Sequence, residues 1–266
     1  MSRVIGVVSG KGGVGKTTVV VNVGAALAHR FKKRVAVVDC NVTTSHLGVS
    51  LGFSYLSKTL NHVLRGESTI HQAIYDHHSG MKVIPSSMKL KDLKGIDFAR
   101  LKPAIRDLEK SFDIVLLDAG PGLGREGVGA LLASQELLFV SQPTLPAIMD
   151  IVRCQEAVKG TDKPHLGIVL NLVENHGHHL TKENVENLSS LEVVSVIPRD
   201  DRVPESLAAQ TPVVLSHPQS PAGQELLALA ARIIGEPVQR VPTPSEHVRS
   251  RFKGALSSIN RAIGID

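Results

Sequence analysis

Tryptophan is absent from this 266-residue chain, tyrosine occurs twice, and aromatic residues make up 3% of it. So few aromatic side chains argue against a stacking platform for single-stranded nucleic acid and against a carbohydrate groove. Cysteine occurs twice, as Cys40 and Cys154. Two distant thiols cannot make a disulfide scaffold, a CxxC redox site or a zinc ribbon, so a reducing cytosol is the expected compartment. No run approaches the roughly 20 apolar residues that cross a bilayer, and no charged leader precedes the first ordered motif, so neither spanning nor secretion is expected. A fixed-period repeat is missing as well.

The hydrophobic and charged fractions, 42% and 21%, are those of an ordinary globular protein. Short apolar, β-branched runs at 4–9, 35–39, 82–84, 113–117, 137–141, 167–173 and 193–197 show no polar alternation, the pattern of strands buried on both faces. Between and after them, segments 17–30, 99–110, 124–134, 146–159, 182–190 and 221–234 have helical period. Strand and helix in alternation predict an α/β fold, a mainly parallel sheet flanked by helices on both faces.

After Gly235 the composition changes. Residues 236–248 are Pro-rich and aperiodic and read as a linker after a 1–235 domain. Beyond it, Phe252, Leu256, Ile259 and Ile263 fall on one helical stripe among Arg249, Arg251, Lys253 and Arg261, so 249–266 reads as a basic amphipathic tail helix. Residues 238–266 carry a net charge of +3 of the whole chain's +5.

Directly after the first run stands Gly10-Lys11-Gly12-Gly13-Val14-Gly15-Lys16-Thr17, a match to GxxxxGK[ST] between a strand and a helix, as the motif requires. Glycines let consecutive backbone N–H groups converge on a phosphate, and the helix N-terminus adds its positive dipole end. In such a P-loop NTPase, Lys16 is expected to bridge the β- and γ-phosphate oxygens of ATP and Thr17 to ligate Mg²⁺. Asp118 ends an apolar strand, where a carboxylate would hold a magnesium-bound water at the sheet's carboxyl edge. Asp39 ends another such strand and is assigned to the same shell.

Lys11 to Thr18 resembles the deviant Walker A loop, with a second lysine near its start, of the MinD/ParA family of dimerising ATPases. The likeness runs over about residues 1–235: Asp39-Cys40-Asn41 through Gly52 is similar to the first switch, and Phe112 through Gly122 to Walker B and the second switch. Leu170-Asn171 resembles the adenine-contacting position, and Ile197-Pro198-Arg199-Asp200 through Val213 the closing segment. The resemblance implies a homodimer sandwiching two ATP molecules, with Lys11 reaching the partner's phosphate. It also implies an ATP site on residues 10–18, Asn171, Pro198 and Asp200.

Where the family usually has a second Asp that orients the attacking water, this chain has Asn41. His46 stands where relatives tend to carry Asn. Lys11, Lys16 and Asn41 are the catalytic set, and slow hydrolysis is expected. The tail favours a MinD-like positioning ATPase in the cytoplasm, peripheral on the inner face of the membrane, with a protein activator or landmark of unknown identity. Two alternatives are a ParA-like DNA-partition ATPase, disfavoured by the missing Asp-Pro-Gln of the first switch, and a scaffold dimer glued by nucleotide with little hydrolysis. His77, His78, His176, His178 and His179 lack carboxylates or thiols at ligand spacing and read as solvated loop residues, and Cys40 and Cys154 as packing. Iron–sulfur carriers of the superfamily need paired ligands that are missing here, and tyrosine-kinase relatives a Tyr-rich tail, whereas this tail has no Tyr.

Overall fold

The computed structural model describes residues 2–174 and 179–238. The tail, most of the linker, His176 and His178 lie outside the described residues. Eight strands form one sheet: β1 (Arg3–Val8), β2 (Val35–Asp39), β3 (Tyr75–Asp76), β4 (Lys82–Ile84), β5 (Ile114–Asp118), β6 (Glu136–Ser141), β7 (His165–Val173) and β8 (Val193–Pro198). Their order is β3-β4-β2-β5-β1-β6-β7-β8, and every pairing is parallel except β3 with β4. All seven expected strands are present. The two-residue β3 is the addition, too short to register as a run.

The helices are α1 (Lys16–His29), α2 (Leu47–Ser50), α3 (Leu60–Leu64), α4 (Leu101–Glu109), α5 (Arg125–Ala133), α6 (Leu145–Ala157), α7 (Lys182–Ser189), α8 (Arg202–Ala208), α9 (Val213–Ser216) and α10 (Pro221–Ile234). None is long and apolar enough to cross a membrane. Strand side chains alternate between two cores, as strand geometry demands. Val4, Val8, Ala36, Val38, Val115 and Leu117 join α4, α5 and α6 on one face. Ile5, Val7, Val35, Val37, Ile114 and Leu116 join α1 and α10 on the other. The helix ends follow local chemistry. Ser220 caps α10, accepting from the Gly223 N–H at 3.1 Å, Pro221 opens it, and Gly235 closes it at φ 70°.

Cys40 and Cys154 are both buried and free, in keeping with packing. His77 departs from its expected solvated loop: it is 7% exposed, its Nδ1 lies 2.9 Å from Ser79 Oγ, and its ring stacks on His78 at 4.0 Å. The turn after β3 folds back against Phe53, and burial together with His78 lowers the His77 pKa to about 4. Among the described residues no three His, Cys, Asp or Glu side chains are grouped to hold a metal ion.

Candidate active site

Because the central strands are parallel, their carboxyl ends open on one edge of the sheet, where such folds bind ligands. β1 delivers the glycine loop there, β2 Asp39, β5 Asp118, β7 Asn171, and β8 Pro198 and Asp200. Gly13 and Gly15 take φ of 77° and 90°, left-handed values that glycine adopts without strain, and α1 starts at Lys16 directly after them. Gly10 is glycine for a packing reason: a side chain there would come within 2.7 Å of the Asp150 carbonyl carbon in α6.

A cavity of about 490 Å³ opens over this loop, with Lys16, Thr17, Thr18, Asn41, His46 and Pro121 in its walls. A neighbouring cavity of about 340 Å³ shares Gly13, Gly15 and Thr18 and is closed by Asn171, Pro198 and Asp200. Of the ATP-site residues expected from sequence, Gly12, Gly13, Gly15, Lys16, Thr17, Thr18, Asn171, Pro198 and Asp200 line these two adjoining cavities, whereas Gly10, Lys11 and Val14 line neither. Asn171 and Asp200 also brace the site. The Asn171 amide donates to the Val14 carbonyl at 2.8 Å, and the Asp200 carboxylate accepts from the N–H groups of Arg202 at 2.9 Å and Ala222 at 3.0 Å.

Lys16 is 8% exposed, and desolvation lowers its pKa against the opposing pull of Asp118. Thr17 Oγ1 donates to Asp118 Oδ2 at 2.6 Å. Asp39 and Asp118 are direct register partners across β2 and β5, both essentially inaccessible to solvent. Desolvation raises both carboxyl pKa values, and for Asp39 the neighbouring Asp118 adds to the rise. Asp118 Oδ1 is buried without any hydrogen-bond partner. Two apposed carboxylates, one of them with an unpartnered oxygen, and a threonine hydroxyl form an oxygen-only donor set that suits a hard divalent cation such as Mg²⁺. When bound, such a cation would neutralise this charge and that of a phosphate, acting as a Lewis acid.

Lys11 is exposed at the loop's outer surface. The Asn41 amide is closed on its own loop: Nδ2 donates to the Thr44 carbonyl at 2.9 Å, and Oδ1 accepts from the Thr44 hydroxyl at 2.9 Å. Asp39 is held by Asn41 and by two serines, Ser45 and Ser86, that sequence reading did not single out. Ser45 Oγ donates to its carboxylate at 2.6 Å, the Asn41 N–H does so at 3.1 Å, and Ser86 Oγ donates to its backbone carbonyl at 2.6 Å. Glu126, in the first turn of α5, accepts from the Thr43 N–H at 2.8 Å and from the Thr43 hydroxyl, tying the 41–44 segment to the 119–126 segment. The position of Ser86 just after strand 82–84 was the available signal for one of these. The link to Glu126 had none.

The AAA domain family matches residues 2–168. An uncharacterised ATP-binding protein of Methanocaldococcus jannaschii is 32% identical over 235 residues, covering 88% of this chain and 89% of that protein. The crystal structure of the Pyrococcus furiosus cell division ATPase MinD superposes with a TM-score of 0.85 at 31% identity, covering 88% of this chain and 99% of that one. The septum site-determining protein MinD of Pyrococcus horikoshii, solved with Mg-ADP, gives 0.84 at 28% identity, covering 88% and 96%.

Proposed function

Because the chain belongs to the MinD/ParA family of P-loop ATPases with the deviant Walker A loop, we propose that it binds Mg-ATP on residues 10–18, dimerises in that state and hydrolyses the nucleotide slowly. The observation that carries the reading is Thr17 bonded to Asp118 beside the unpartnered Asp118 Oδ1, at the foot of the glycine loop. Lys16 meets the β- and γ-phosphates and Thr17 and Asp118 hold the cation, with Asp39 behind them. Asn171, Pro198 and Asp200 enclose the base. Lys11, exposed beside the loop, serves the partner's nucleotide, where it offsets phosphate charge that otherwise repels across the interface.

The tail at 249–266 supplies reversible attachment to anionic membrane in the service of spatial positioning. Each basic residue adds about 1 kcal/mol near such a surface. One copy is marginal against the cost of ordering a short helix, and two copies on an ATP-bound dimer gain effective concentration, which places attachment under nucleotide control. Co-sedimentation of the full chain with anionic vesicles should require ATP and vanish on removal of 245–266. Duplex-DNA binding in place of vesicle binding would favour the partition reading instead.

Slow turnover follows from Asn41. An Asp there accepts a hydrogen bond from the attacking water with full charge, and charge-assisted bonds are roughly twice as strong as neutral ones. The Asn41 amide is neutral and engaged with Thr44 at both ends. Asn41→Asp cannot donate to the Thr44 carbonyl and frees a charged acceptor. Its steady-state turnover at saturating Mg-ATP is expected to rise about tenfold, equivalent to some 1.4 kcal/mol. An Asp variant no faster than wild type at equal ATP affinity would remove Asn41 as the limit.

A further inference from the structure

Most polar side chains in the wall of the cavity over the glycine loop are already engaged. Thr17 is bonded to Asp118, and the side chains of Asn41 and Thr44 are closed on each other's loop. Asn22 is held at both ends: its Nδ2 donates to the Thr18 carbonyl at 2.8 Å, and its Oδ1 accepts from the Val214 N–H at 3.1 Å. The hydroxyls of Ser50, Ser206 and Thr211 each donate to a backbone carbonyl two or three residues back. Of the polar wall side chains, that leaves Lys16, Thr18 and His46 with no side-chain hydrogen bond among the described residues. Lys16 carries only donors, and Thr18 offers a hydroxyl of the loop itself. His46 alone of the three carries a ring nitrogen that can accept a proton.

The backbone around His46 is fixed while its ring stays unused. Ser45 before it is buried and bonded to Asp39 at 2.6 Å, and Leu47 after it is buried in the core of the α1 face. The His46 carbonyl accepts from the Ser50 N–H at 2.9 Å, and the residue as a whole is exposed. The ring also stands near the carboxylates. Burial raises the Asp118 pKa, and the Thr17 hydroxyl, Lys16 and a charge on His46 pull against that rise, which requires the imidazole to lie close to Asp118. His46 therefore shares with Lys16, Thr17 and Asn41 the end of the cavity where the cation would be held.

We propose that His46, and not Asn41, is the catalytic residue that holds the attacking water and takes its proton. This role rests on the Mg-ATP reading of the cavity, in which the terminal phosphate lies at the end that Thr17 and Asp118 mark. Two wall groups there could orient a water, and the Asn41 amide is taken by Thr44 while the His46 ring is free. The water oxygen bonds to the γ-phosphorus as the bond from that phosphorus to the β–γ bridging oxygen breaks. The bridging oxygen keeps the electron pair and leaves with ADP. The water's proton passes to the His46 ring nitrogen and from there to solvent, to which the residue is exposed. Histidine is the side chain that most often accepts a proton in this way. The engaged amide of Asn41 keeps the site slow, and His46 supplies the rate that remains.

Four full-length proteins test this: wild type, His46→Ala, Asn41→Asp and the double variant. Steady-state turnover is measured at saturating Mg-ATP, and ATP affinity by titration calorimetry. His46→Ala should bind ATP within about twofold of wild type and turn over about tenfold or more slowly. Added imidazole should restore part of that rate, because His46 leaves its place in the wall of an open cavity. In the Asn41→Asp background, where a carboxylate takes over the water, the loss from His46→Ala should shrink to about twofold or less. Unchanged turnover in His46→Ala would overturn the assignment. So would a loss that imidazole does not restore, or, provided that Asn41→Asp is the faster enzyme, one of equal size in that background, since a residue that only props up the loop gives those results. Should Asn41→Asp be no faster than wild type, the imidazole arm decides alone. A wild type that binds no ATP sinks the Mg-ATP reading, whereas normal ATP binding with full turnover in His46→Ala sinks only the role of His46.

Discussion

Lys16→Met is expected to weaken ATP binding by about 100-fold or more while leaving the melting temperature of the empty protein unchanged or higher. The loss on the ligand side follows from charge. Each hydrogen bond to a charged group contributes about 1.5–3 kcal/mol, and in the role proposed for Lys16 its ammonium would make two, to two phosphate oxygens, so removing it is expected to cost two or more decades of affinity. The gain on the empty side follows from burial. Lys16 is 8% exposed, and desolvation lowers its pKa, which means that the empty protein holds the charged form at a cost. Methionine keeps the stem packed and removes that charge. Titration calorimetry with ATP and a thermal melt without it check both halves. Full ATP affinity in Lys16→Met would remove this lysine from the site.

Asp118→Asn is expected to raise the melting temperature of the empty protein by a few degrees at pH 8 and to abolish most of the Mg²⁺ dependence of ATP binding. The carboxyls of Asp39 and Asp118 are register partners, and both pKa values stand above the ordinary range near 4. Between that range and their raised values, the folded protein holds more protons than the unfolded chain, so its stability falls as pH rises through the window. Asparagine removes one of the two opposed charges, keeps an oxygen for the Thr17 hydroxyl, and should flatten this dependence. Melts of both proteins from pH 5 to pH 8, with and without Mg-ATP, read the effect directly. If the variant melts lower at pH 8, or the slope with pH is unchanged, the two carboxylates are not in conflict.

Much of this site is legible in the sequence because its parts are local. The glycine loop is contiguous, and Asp39 and Asp118 each end a run of apolar residues that can only be a buried strand. Parallel order then places those strand ends on one edge, so that Asn171, Pro198 and Asp200 meet the loop from far along the chain. What escaped was set by tertiary placement. Ser45 and Ser86 are ordinary serines until β4 lies beside β2, and Glu126 is an ordinary first-turn acid until Thr43 folds onto it. The helices α2, α3, α8 and α9 are four to seven residues long, too short to show a period. His77 sits in a polar stretch that reads as solvated, yet Phe53, remote in sequence, helps to cover it.

In the proposed function, ATP held on residues 10–18 draws two chains together through Lys11. Size-exclusion chromatography with light scattering tests it most directly. With Mg-ATP the wild type should elute at twice the chain mass of 28.5 kDa and with Mg-ADP at 28.5 kDa, while Lys11→Ala should remain at 28.5 kDa with either nucleotide. A wild type of one mass in both nucleotides, or a Lys11→Ala dimer as strong as the wild type's, would contradict the account.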